Sequence, residues 1–527
     1  MPKKILIILI VTCLSCESLF HENDTQYMVI DNQQELLDVM NGIYACLTNV
    51  YDQYYFLALA RSDDINPYLS YQYSTETSSC SSRGEVNVSE LTGNIYLNFY
   101  TAIITINHLI LNLDEEGYQV IFGELYFLRA YCYFQLARLF GTPPIVTDTD
   151  VNYLIEKPTY EEVYDFIEAD MQRALELLPE TYTDVRIPGE TPHKGTAKAL
   201  LAEIYLSRAG FPVNDESKYA KAAQEAGEVI QQADYYGYGM LDDLANLWKV
   251  AYRHNSECIF GIFFNPENEE VSNRIGFNYL CYSSYDPYES SIGACGNYFS
   301  DFMFYDTYPK GYRKYHSFNT GDYRELSFDT LMGTESRLEF IPYDPVNNPC
   351  GYVSGAYSIK WLDIDALLLQ ANINTGIPGN IYYTYNQPNV VTLYLLRYAQ
   401  TLLTYAEAKA RSGNLDESCY EVVNRIRRRA HNLDQNNSSA FDLQPVLTTG
   451  QFLDSVVWER AWELCTEPQG RWFDIIRLDL KDEIDANRYP EDTPFEVDHS
   501  LVNEDWYFYL IPQEDRWLNP NFHEEGD

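Results

Sequence analysis

Two distant segments of the chain follow one pattern: a helix, a glycine turn and a second helix. The first is ALLAEIYLSRAG, continued by NDESKYAKAAQEAGEVI, and the second is LLTYAEAKARSGNLDESCYEVVNRIRR. In both, Ala-Glu lies early, Gly marks the turn, and Asp-Glu-Ser stands where the second helix should begin. One such pair cannot bury its apolar face alone, so neighbouring pairs must stack. The pattern therefore predicts a mostly α-helical protein.

Small and aromatic residues at these spacings are typical of tetratricopeptide units, which repeat at about 34 residues and present a surface to another protein. The period is irregular here, so the units are degenerate, and unrelated hairpins in an α-bundle remain the alternative. Apolar residues at helical spacing and capping-box pairs predict further helices. These start at Asn32, Thr159 and Thr448, the last of which opens the helix over 451–465. They also cover 97–113, 124–140, 194–207, 216–232, 393–411 and 416–431.

Composition distinguishes the parts of the chain. Residues 60–95 are rich in Ser, Thr and Tyr and are predicted to form a long loop. Residues 233–392 are rich in Gly, Pro, Asn and Tyr, with short β-like pieces such as CIFGIFF, which predicts an irregular region. We therefore expect a leader over 1–15, a tether over 16–31, a helical region over 32–232, the irregular region over 233–392 and a helical region over 393–527.

The first residues have the layout of a secretory signal. Two lysines precede an apolar run over 5–11, which is far shorter than the roughly 20 residues needed to cross a bilayer. Ser15 directly before Cys16 resembles a bacterial lipobox, in which the cysteine is lipidated and becomes the new N-terminus. Cleavage before Cys13 is the alternative, and a redox role for the two cysteines lacks the βαβ context it needs. We expect a chain anchored by lipid at Cys16 rather than one that spans the membrane.

The net charge of −42 limits the partners of this chain. Phosphate contacts need clustered Lys and Arg, so the charge excludes non-specific nucleic-acid binding and argues against docking on anionic lipid through a basic patch. The count of 47 Tyr among 527 residues is high, and Tyr combines a flat apolar face with a polar tip. A large core edged by Tyr accounts for many of them. A surface that stacks on a ligand, such as a sugar ring, is the sharper interpretation.

No sequence pattern indicates catalysis. The eight His form no His-Glu-x-x-His pair, and neither a Gly-x-Ser-x-Gly elbow nor a Gly-x-x-x-x-Gly-Lys-Ser/Thr loop occurs. Carboxylate pairs are too common among 78 acidic residues for a glycosidase pair to be singled out or excluded. No catalytic residue is therefore predicted.

No metal or cofactor site is predicted either. The nine cysteines after Cys16 show no zinc-ribbon spacing, and positions such as Cys132 and Cys465 are expected to be buried free thiols. The Asp-Thr-Asp and Asp-Ile-Asp triplets at 148–150 and 363–365 are interpreted as solvated loop acids rather than Ca²⁺ ligands.

The segment ERAWELCTEPQGRWFDIIRLDL, residues 459–480, alternates charged and aromatic side chains. A catalytic or anion-binding site is one interpretation. A buried lattice of Arg–carboxylate pairs is the interpretation we favour, because Arg and carboxylate groups form strong bidentate bonds that hold helices together. The charged residues concerned are Glu459, Arg460, Glu463, Arg471, Asp474 and Arg477.

This segment resembles the signature of the SusD/RagB family of Bacteroidetes surface lipoproteins, which is close to E-R-x-x-E-L-x-x-E-x-x-R-W-F-D-L-x-R. The positions that agree are Glu459, Arg460, Glu463, Leu464, Glu467, Arg471, Trp472, Phe473, Asp474 and Arg477. Four more blocks resemble the family in the same order: GELYFLRAYCYFQLARLFGTPPIV, HKGTAKALLAEIYL, LLRYAQTLLTYAEA and YLIPQEDRWLNPNF. The resemblance therefore covers nearly the whole chain.

The resemblance implies a SusD-like fold with four tetratricopeptide-like helix pairs, a few short strands and a loop-rich ligand-binding part, here residues 233–392. It implies a binding protein rather than an enzyme, held by lipid on the outer face of the outer membrane. There it would capture oligosaccharides and deliver them to a SusC-like TonB-dependent transporter, against which the repeat side packs. A peptide- or protein-uptake lipoprotein of the same architecture, as in the RagB branch, is the alternative.

The family's shared motifs are structural, so the ligand site is predicted from side-chain chemistry. The polar loop at 60–96 and the Tyr-rich stretch at 279–298 are the candidates. Stacking faces are predicted at Tyr68, Tyr71, Tyr73, Tyr96, Tyr282, Tyr285 and Tyr288, and hydrogen bonds to hydroxyl groups at Asp63, Asp64, Asn66 and Arg83. Loop packing is the alternative role for each of these residues.

Overall fold

The fold is mostly α-helical, as predicted, with small sheets. The computed structural model describes residues 6–8, 27–29, 32–51, 59, 61–67, 89–149, 152, 154–182, 189–264, 298–319, 355–358, 391–487 and 506–523.

The helices of the N-terminal half are α1 (Gln33–Val50), α2 (Ser89–Asn112), α3 (Gln119–Phe140), α4 (Tyr160–Leu177), α5 (Lys194–Ala209), α6 (Lys218–Gln231) and α7 (Ala233–Tyr236). Those that follow are α8 (Phe302–Thr307), α9 (Tyr312–Ser317), α10 (Tyr398–Arg411), α11 (Glu417–Ala430), α12 (Thr449–Glu463), α13 (Arg471–Leu478) and α14 (Gln513–Leu518).

Side-chain caps determine where several helices begin. The Asn32 side chain accepts a hydrogen bond from the backbone N–H of Glu35 and donates one to its carboxylate. Reciprocal bonds join Thr159 to Glu162 at α4, and a matching box opens α12 at Thr448. These bonds satisfy backbone donors that the first turn of a helix leaves without a partner. The three predicted helix starts are confirmed.

The two patterned segments form the helix pairs α5–α6 and α10–α11, and α6 packs against α10. Gly210 ends α5, the first helix of the α5–α6 pair, and a methyl group at that position would lie 2.1 Å from the carbonyl oxygen of Arg477. The helices α1–α2 and α3–α4 pack as pairs in the same way. The stacking of neighbouring helix pairs that the repeated pattern predicts is therefore confirmed.

The strands are β1 (Leu6–Ile8), β2 (Tyr27–Val29), β3 (Ile65–Pro67), β4 (Cys258–Ile262), β5 (Tyr298–Asp301), β6 (Phe318–Asn319), β7 (Gly355–Ser358) and β8 (Leu393–Arg397). β1 pairs with β2 and β4 pairs with β8, both antiparallel. A four-stranded antiparallel sheet has the order β3-β5-β7-β6 and gathers strands from residues 65 to 358.

Two predictions of secondary structure are wrong in part. Residues 393–397 form β8 instead of starting the helix predicted over 393–411, because the buried apolar run LYLL, with Arg397 after it, pairs with β4. Such short runs fit a buried strand as well as a buried helix. The long loop predicted over 60–95 contains β3, and α2 begins within it at Ser89. The leader and tether predicted over 1–31 lie outside the described residues except for β1 and β2.

Helices from both ends of the chain contribute to one apolar core. Cys132 is a buried free thiol, as predicted, and Cys465 is buried. In the part of the chain that the structure describes, no helix has the length and apolar character needed to span a membrane.

Candidate functional site

Six charged residues of the 459–480 segment are buried, and each takes part in an ion pair. This holds for Glu459, Arg460, Glu463, Arg471, Asp474 and Arg477. A buried charge is costly unless it is paired and hydrogen-bonded, so these residues stabilise the fold only as a set. The interpretation of the segment as a buried Arg–carboxylate lattice is confirmed.

The centre of the lattice consists of two arginines and three glutamates. Arg397, at the end of β8, donates to Glu257 at 2.6 Å, to Glu463 at 3.1 Å and to Glu467 at 2.7 and 2.9 Å. Arg429 donates to Glu463 at 2.6 Å and also to Glu257. Burial lowers the pKa of Arg397, but the three carboxylates outweigh it and hold that pKa well above its ordinary value. The centre therefore joins β4 and β8 to α11 and α12.

A second part of the lattice joins α5, α10, α12 and α13. Arg477 donates to both carboxylate oxygens of Glu407, at 2.6 and 2.7 Å, and to Asp474 at 2.8 Å. Arg460 donates to Glu203 at 2.7 Å. Burial raises the pKa of Glu407, but the neighbouring guanidinium groups outweigh it and lower that pKa to about 2. Glu407 is therefore ionised at neutral pH.

The lattice holds the chain just before β3. Arg471 donates to both oxygens of Asp63 at 2.9 Å, and Asn487 donates to one of them at 2.9 Å. The guanidinium of Arg61 lies 4.4 Å from the ring centre of Trp506, a cation–π contact. Residues 61–63 are therefore fixed to the C-terminal part of the chain, more than 400 residues away in sequence.

The lattice also holds the chain just before β6. Arg313, in α9, donates to Glu459 at 2.6 Å and to Glu463 at 2.9 Å. The hydroxyl of Tyr308 donates to the carbonyl oxygen of Trp462 at 2.7 Å. α9 leads directly into β6, an edge strand of the four-stranded sheet. The bonds from α9 to α12 therefore fix the position of that edge.

The register of this sheet brings separate segments to one end. Pro67 of β3 pairs with Tyr298 of β5. Ser300 of β5 pairs with Ala356 of β7, and the two strands are antiparallel, so Ser358 lies at the same end of the sheet as Tyr298. The chain therefore continues into residue 68, arrives from residue 297 and continues into residue 359 at one end of the sheet. We call this the loop-bearing end and define it by Pro67, Tyr298 and Ser358. Pro67 belongs to the predicted ligand segment 60–96 and Tyr298 ends the other, 279–298, so the sheet brings one point of each segment together.

The structure places three of the predicted ligand residues in the interior. Asp63 and Asp64 are each 1% exposed and Tyr96 is 6% exposed. The Asp63 carboxylate binds Arg471, burial raises the pKa of Asp64 to about 7, and Tyr96 packs 5.2 Å from the ring centre of Phe140. This burial argues against direct ligand contact, and the loop-packing alternative describes these three residues better.

Most of the predicted ligand residues have side chains outside the described part of the structure. The backbone of Asn66 lies in β3 opposite Phe299, directly before the loop-bearing end. The residues that stay predictions are Asn66, Tyr68, Tyr71, Tyr73, Arg83, Tyr282, Tyr285 and Tyr288.

Some residues that position the site escape reasoning from local sequence. Arg313 and Arg61 lie in segments without a motif, so nothing in the sequence indicates that they contact α12 and Trp506. Arg397 lies in the block LLRYAQTLLTYAEA, and only the resemblance of this block to the SusD/RagB family draws attention to it. Among the described residues, no three His, Cys, Asp or Glu side chains are grouped closely enough to hold a metal ion.

Comparison with known proteins gives matches over both halves of the chain. A family model described as SusD-like, "Starch-binding associating with outer membrane", matches residues 19–206. The SusD family model matches residues 379–522. SusD-like protein P2 of Formosa agariphila is 28% identical over 406 residues, which is 73% of this chain and 71% of that protein.

Solved structures share the fold. A SusD homologue of Bacteroides thetaiotaomicron superposes with a TM-score of 0.71 at 23% identity, over 94% of this chain and 97% of the other. A laminarin-binding SusD-like protein superposes with a TM-score of 0.69 at 20% identity, over 93% and 98% of the two chains. The predicted SusD-like fold is confirmed.

Proposed function

The chain belongs to the SusD/RagB family, and from this premise we propose that it is a surface binding protein that captures oligosaccharides and delivers them to a SusC-like TonB-dependent transporter. The observation that carries the proposal is the sheet register. It pairs Pro67 with Tyr298 at one end of a sheet, and each of these residues borders a segment rich in Tyr. Tyr faces stack on sugar rings, and adjacent stacking faces are what an extended glycan requires.

The proposed ligand residues are those that follow or precede the strands at the loop-bearing end. Stacking is assigned to Tyr68, Tyr71, Tyr73, Tyr282, Tyr285 and Tyr288, and hydrogen bonding to Asn66 and Arg83. The Arg–carboxylate lattice holds the segments that lead into β3 and β6, so the sheet that carries the proposed site is fixed before a ligand binds. Support of this kind lowers the ordering cost of binding.

The charge distribution favours a neutral glycan. The segments 68–88, 265–297 and 359–390 begin or end at the loop-bearing end and contain nine acidic residues against three basic ones. Many of the remaining arginines, such as Arg397, Arg429 and Arg477, are buried in ion pairs with carboxylates. Sulfated or uronate-rich chains would therefore be repelled at low salt. The laminarin-binding relative shares the fold.

We further propose that Cys16 carries the lipid, that the protein faces the exterior and that it catalyses no reaction. The description of the matching family model names association with the outer membrane, which supports this location. The helix pairs supply a broad surface for the transporter, as stacked helix pairs commonly do for protein partners.

Isothermal titration calorimetry tests the binding proposal. The chain without residues 1–16 is titrated with neutral β-glucan, xyloglucan and starch oligosaccharides, with sulfated and uronate-rich oligosaccharides, and with peptides. We expect a neutral glycan to bind and Tyr285→Ala to weaken it at least about tenfold, which corresponds to about 1.4 kcal/mol. Tyr235→Ala is the matched control, because Tyr235 is 58% exposed on α7, away from the sheet. Binding of peptides but of no glycan would favour the peptide-uptake alternative and contradict the proposal.

A further inference from the structure

A polar cavity of about 300 Å³ lies between the end of α6 and the segment that follows α11. Its walls include Asp234, Asp242, Arg425, Gln435 and Asn436. Among the described residues, none of the four-stranded sheet lines this cavity, so it is separate from the loop-bearing end.

Arg425 differs from the other arginines of its helix. Arg427, Arg428 and Arg429 of α11 each donate to a carboxylate, at 2.9, 2.6 and 2.6 Å. Arg425 forms no ion pair with the described carboxylates, and its Nε is buried without a hydrogen-bond acceptor. Its polar contact is the hydroxyl of Tyr398, whose pKa burial raises and Arg425 lowers. A guanidinium in this position presents donors to whatever enters the cavity.

The opposite wall supplies acceptors in fixed positions. Gln435 donates to the carbonyl oxygens of Met240 and Leu241, at 3.3 and 3.2 Å, and to Oδ1 of Asp242 at 3.1 Å. The backbone N–H of Leu241 donates to Glu257 of the lattice centre at 3.0 Å. The wall that carries Asp242 is therefore held by the same lattice and needs no rearrangement to accept a ligand.

The shape and chemistry of the cavity point to one class of ligand. A volume of about 300 Å³ is at the small end of ligand pockets, which fits a single sugar ring and not a long oligosaccharide. Arg425 and Asn436 supply donors, while Asp234 and Asp242 supply acceptors. A sugar hydroxyl both donates and accepts, so it satisfies both sets. An anion would meet two carboxylates, and a cation would meet the guanidinium of Arg425.

We propose that this cavity is a second carbohydrate site, which holds one neutral sugar ring between Arg425 and Asp242. Arg425 and the Asn436 amide donate to its hydroxyl oxygens, and Asp242 accepts from a hydroxyl hydrogen. The ring of Tyr238 forms part of the wall and is held by its hydroxyl, which contacts Thr196 at 3.0 Å.

Saturation-transfer NMR and calorimetry with a panel of monosaccharides test this site on the same soluble chain. We expect a neutral sugar to bind with 1:1 stoichiometry. Arg425→Gln should weaken it at least about tenfold without changing the melting temperature, because Arg425 forms no ion pair with any carboxylate that the structure describes. Lys310→Gln is the matched control, because Lys310 is an exposed cation that does not line the cavity. Asn436→Ala, on an exposed side chain, is a second variant with the same expected direction of effect.

Three results would overturn the proposal: no monosaccharide binds, Arg425→Gln binds as the unaltered protein does, or glucuronate binds more tightly than glucose. Tyr285→Ala separates the two sites. It should weaken oligosaccharide binding at the loop-bearing end and leave monosaccharide binding in this cavity unchanged, so the failure of one proposal does not imply failure of the other.

Discussion

Replacing Glu407 with Gln is expected to destabilise the protein by about 3 kcal/mol at pH 7. Glu407 is completely buried in α10 and accepts hydrogen bonds from Arg477 at 2.6 and 2.7 Å and from Arg411 at 2.8 Å. Burial opposes ionisation, but the guanidinium groups outweigh it and lower the pKa of Glu407 from 4.5 to about 2. The substitution removes the charge that accepts both Glu407 bonds from the buried guanidinium of Arg477, which then keeps its pairing with Asp474.

The magnitude follows from the difference between the folded and unfolded pKa values. A carboxylate whose pKa is lower in the folded state contributes stability above its unfolded pKa, and that stability is lost as the pH falls through the folded pKa. The shift of Glu407 from 4.5 to about 2, at about 1.36 kcal/mol for each pH unit, gives about 3 kcal/mol. Removing one partner of a buried ion pair typically costs about 3–5 kcal/mol, which agrees. At pH 3 the difference between the two proteins should fall to less than half.

Urea unfolding from pH 7 to pH 3 measures this difference. Glu176→Gln is the matched control, because Glu176 is 62% exposed and its partner Arg173 is 41% exposed. Such a surface pair contributes roughly 0–1 kcal/mol. The reasoning is refuted if Glu407→Gln costs no more than the control at pH 7, or if its effect does not shrink as the pH falls.

Three further predictions concern the anchor, a close contact and the link between lattice and sheet. Cys16→Ala should abolish incorporation of labelled fatty acid and release the protein from the outer-membrane fraction; labelling that persists would contradict the lipobox assignment. Gly210→Ala should lower the free energy of unfolding in urea by about 1–3 kcal/mol or more, because its methyl group would lie 2.1 Å from the carbonyl oxygen of Arg477. Gly450→Ala is the control: its methyl group would meet no described atom within 4 Å, so this substitution should be neutral or stabilising. Asp63→Asn should cost about 3–5 kcal/mol, because it leaves Arg471 buried without its carboxylate, and should weaken glycan binding; unchanged affinity would mean that the lattice does not position the site.

Reasoning from sequence works best where the determinant is local. The starts of α1, α4 and α12 depend on a cap and a residue three positions later, and all three are visible in the sequence. The helix pairs follow from a repeated pattern of small residues. The alternation of charged and aromatic residues at 459–480 indicates buried ion pairs, because charge beside Trp and Phe has few other stable arrangements.

The rest depends on partners distant in sequence. Asp63 and Asp64 lie in a polar segment whose composition suggests exposure, yet Asp63 is buried because Arg471 reaches it from more than 400 residues away. The local pattern predicts a helix at β8, because its pairing with β4 is not visible in the local sequence. The loop-bearing end depends on the pairing of β3, β5 and β7, three short strands that no local pattern connects.

Hydrogen–deuterium exchange tests the central claim most directly. It is measured on the soluble chain with and without a saturating concentration of an oligosaccharide that calorimetry has shown to bind. The claim is that the segments which meet at the loop-bearing end bind the glycan. We expect the ligand to slow exchange in peptides that cover residues 61–73 and 279–301, and to leave exchange unchanged over the helix pairs at 194–231 and 398–430. Protection confined to those helix pairs, with no change at the two loop segments, would contradict the account.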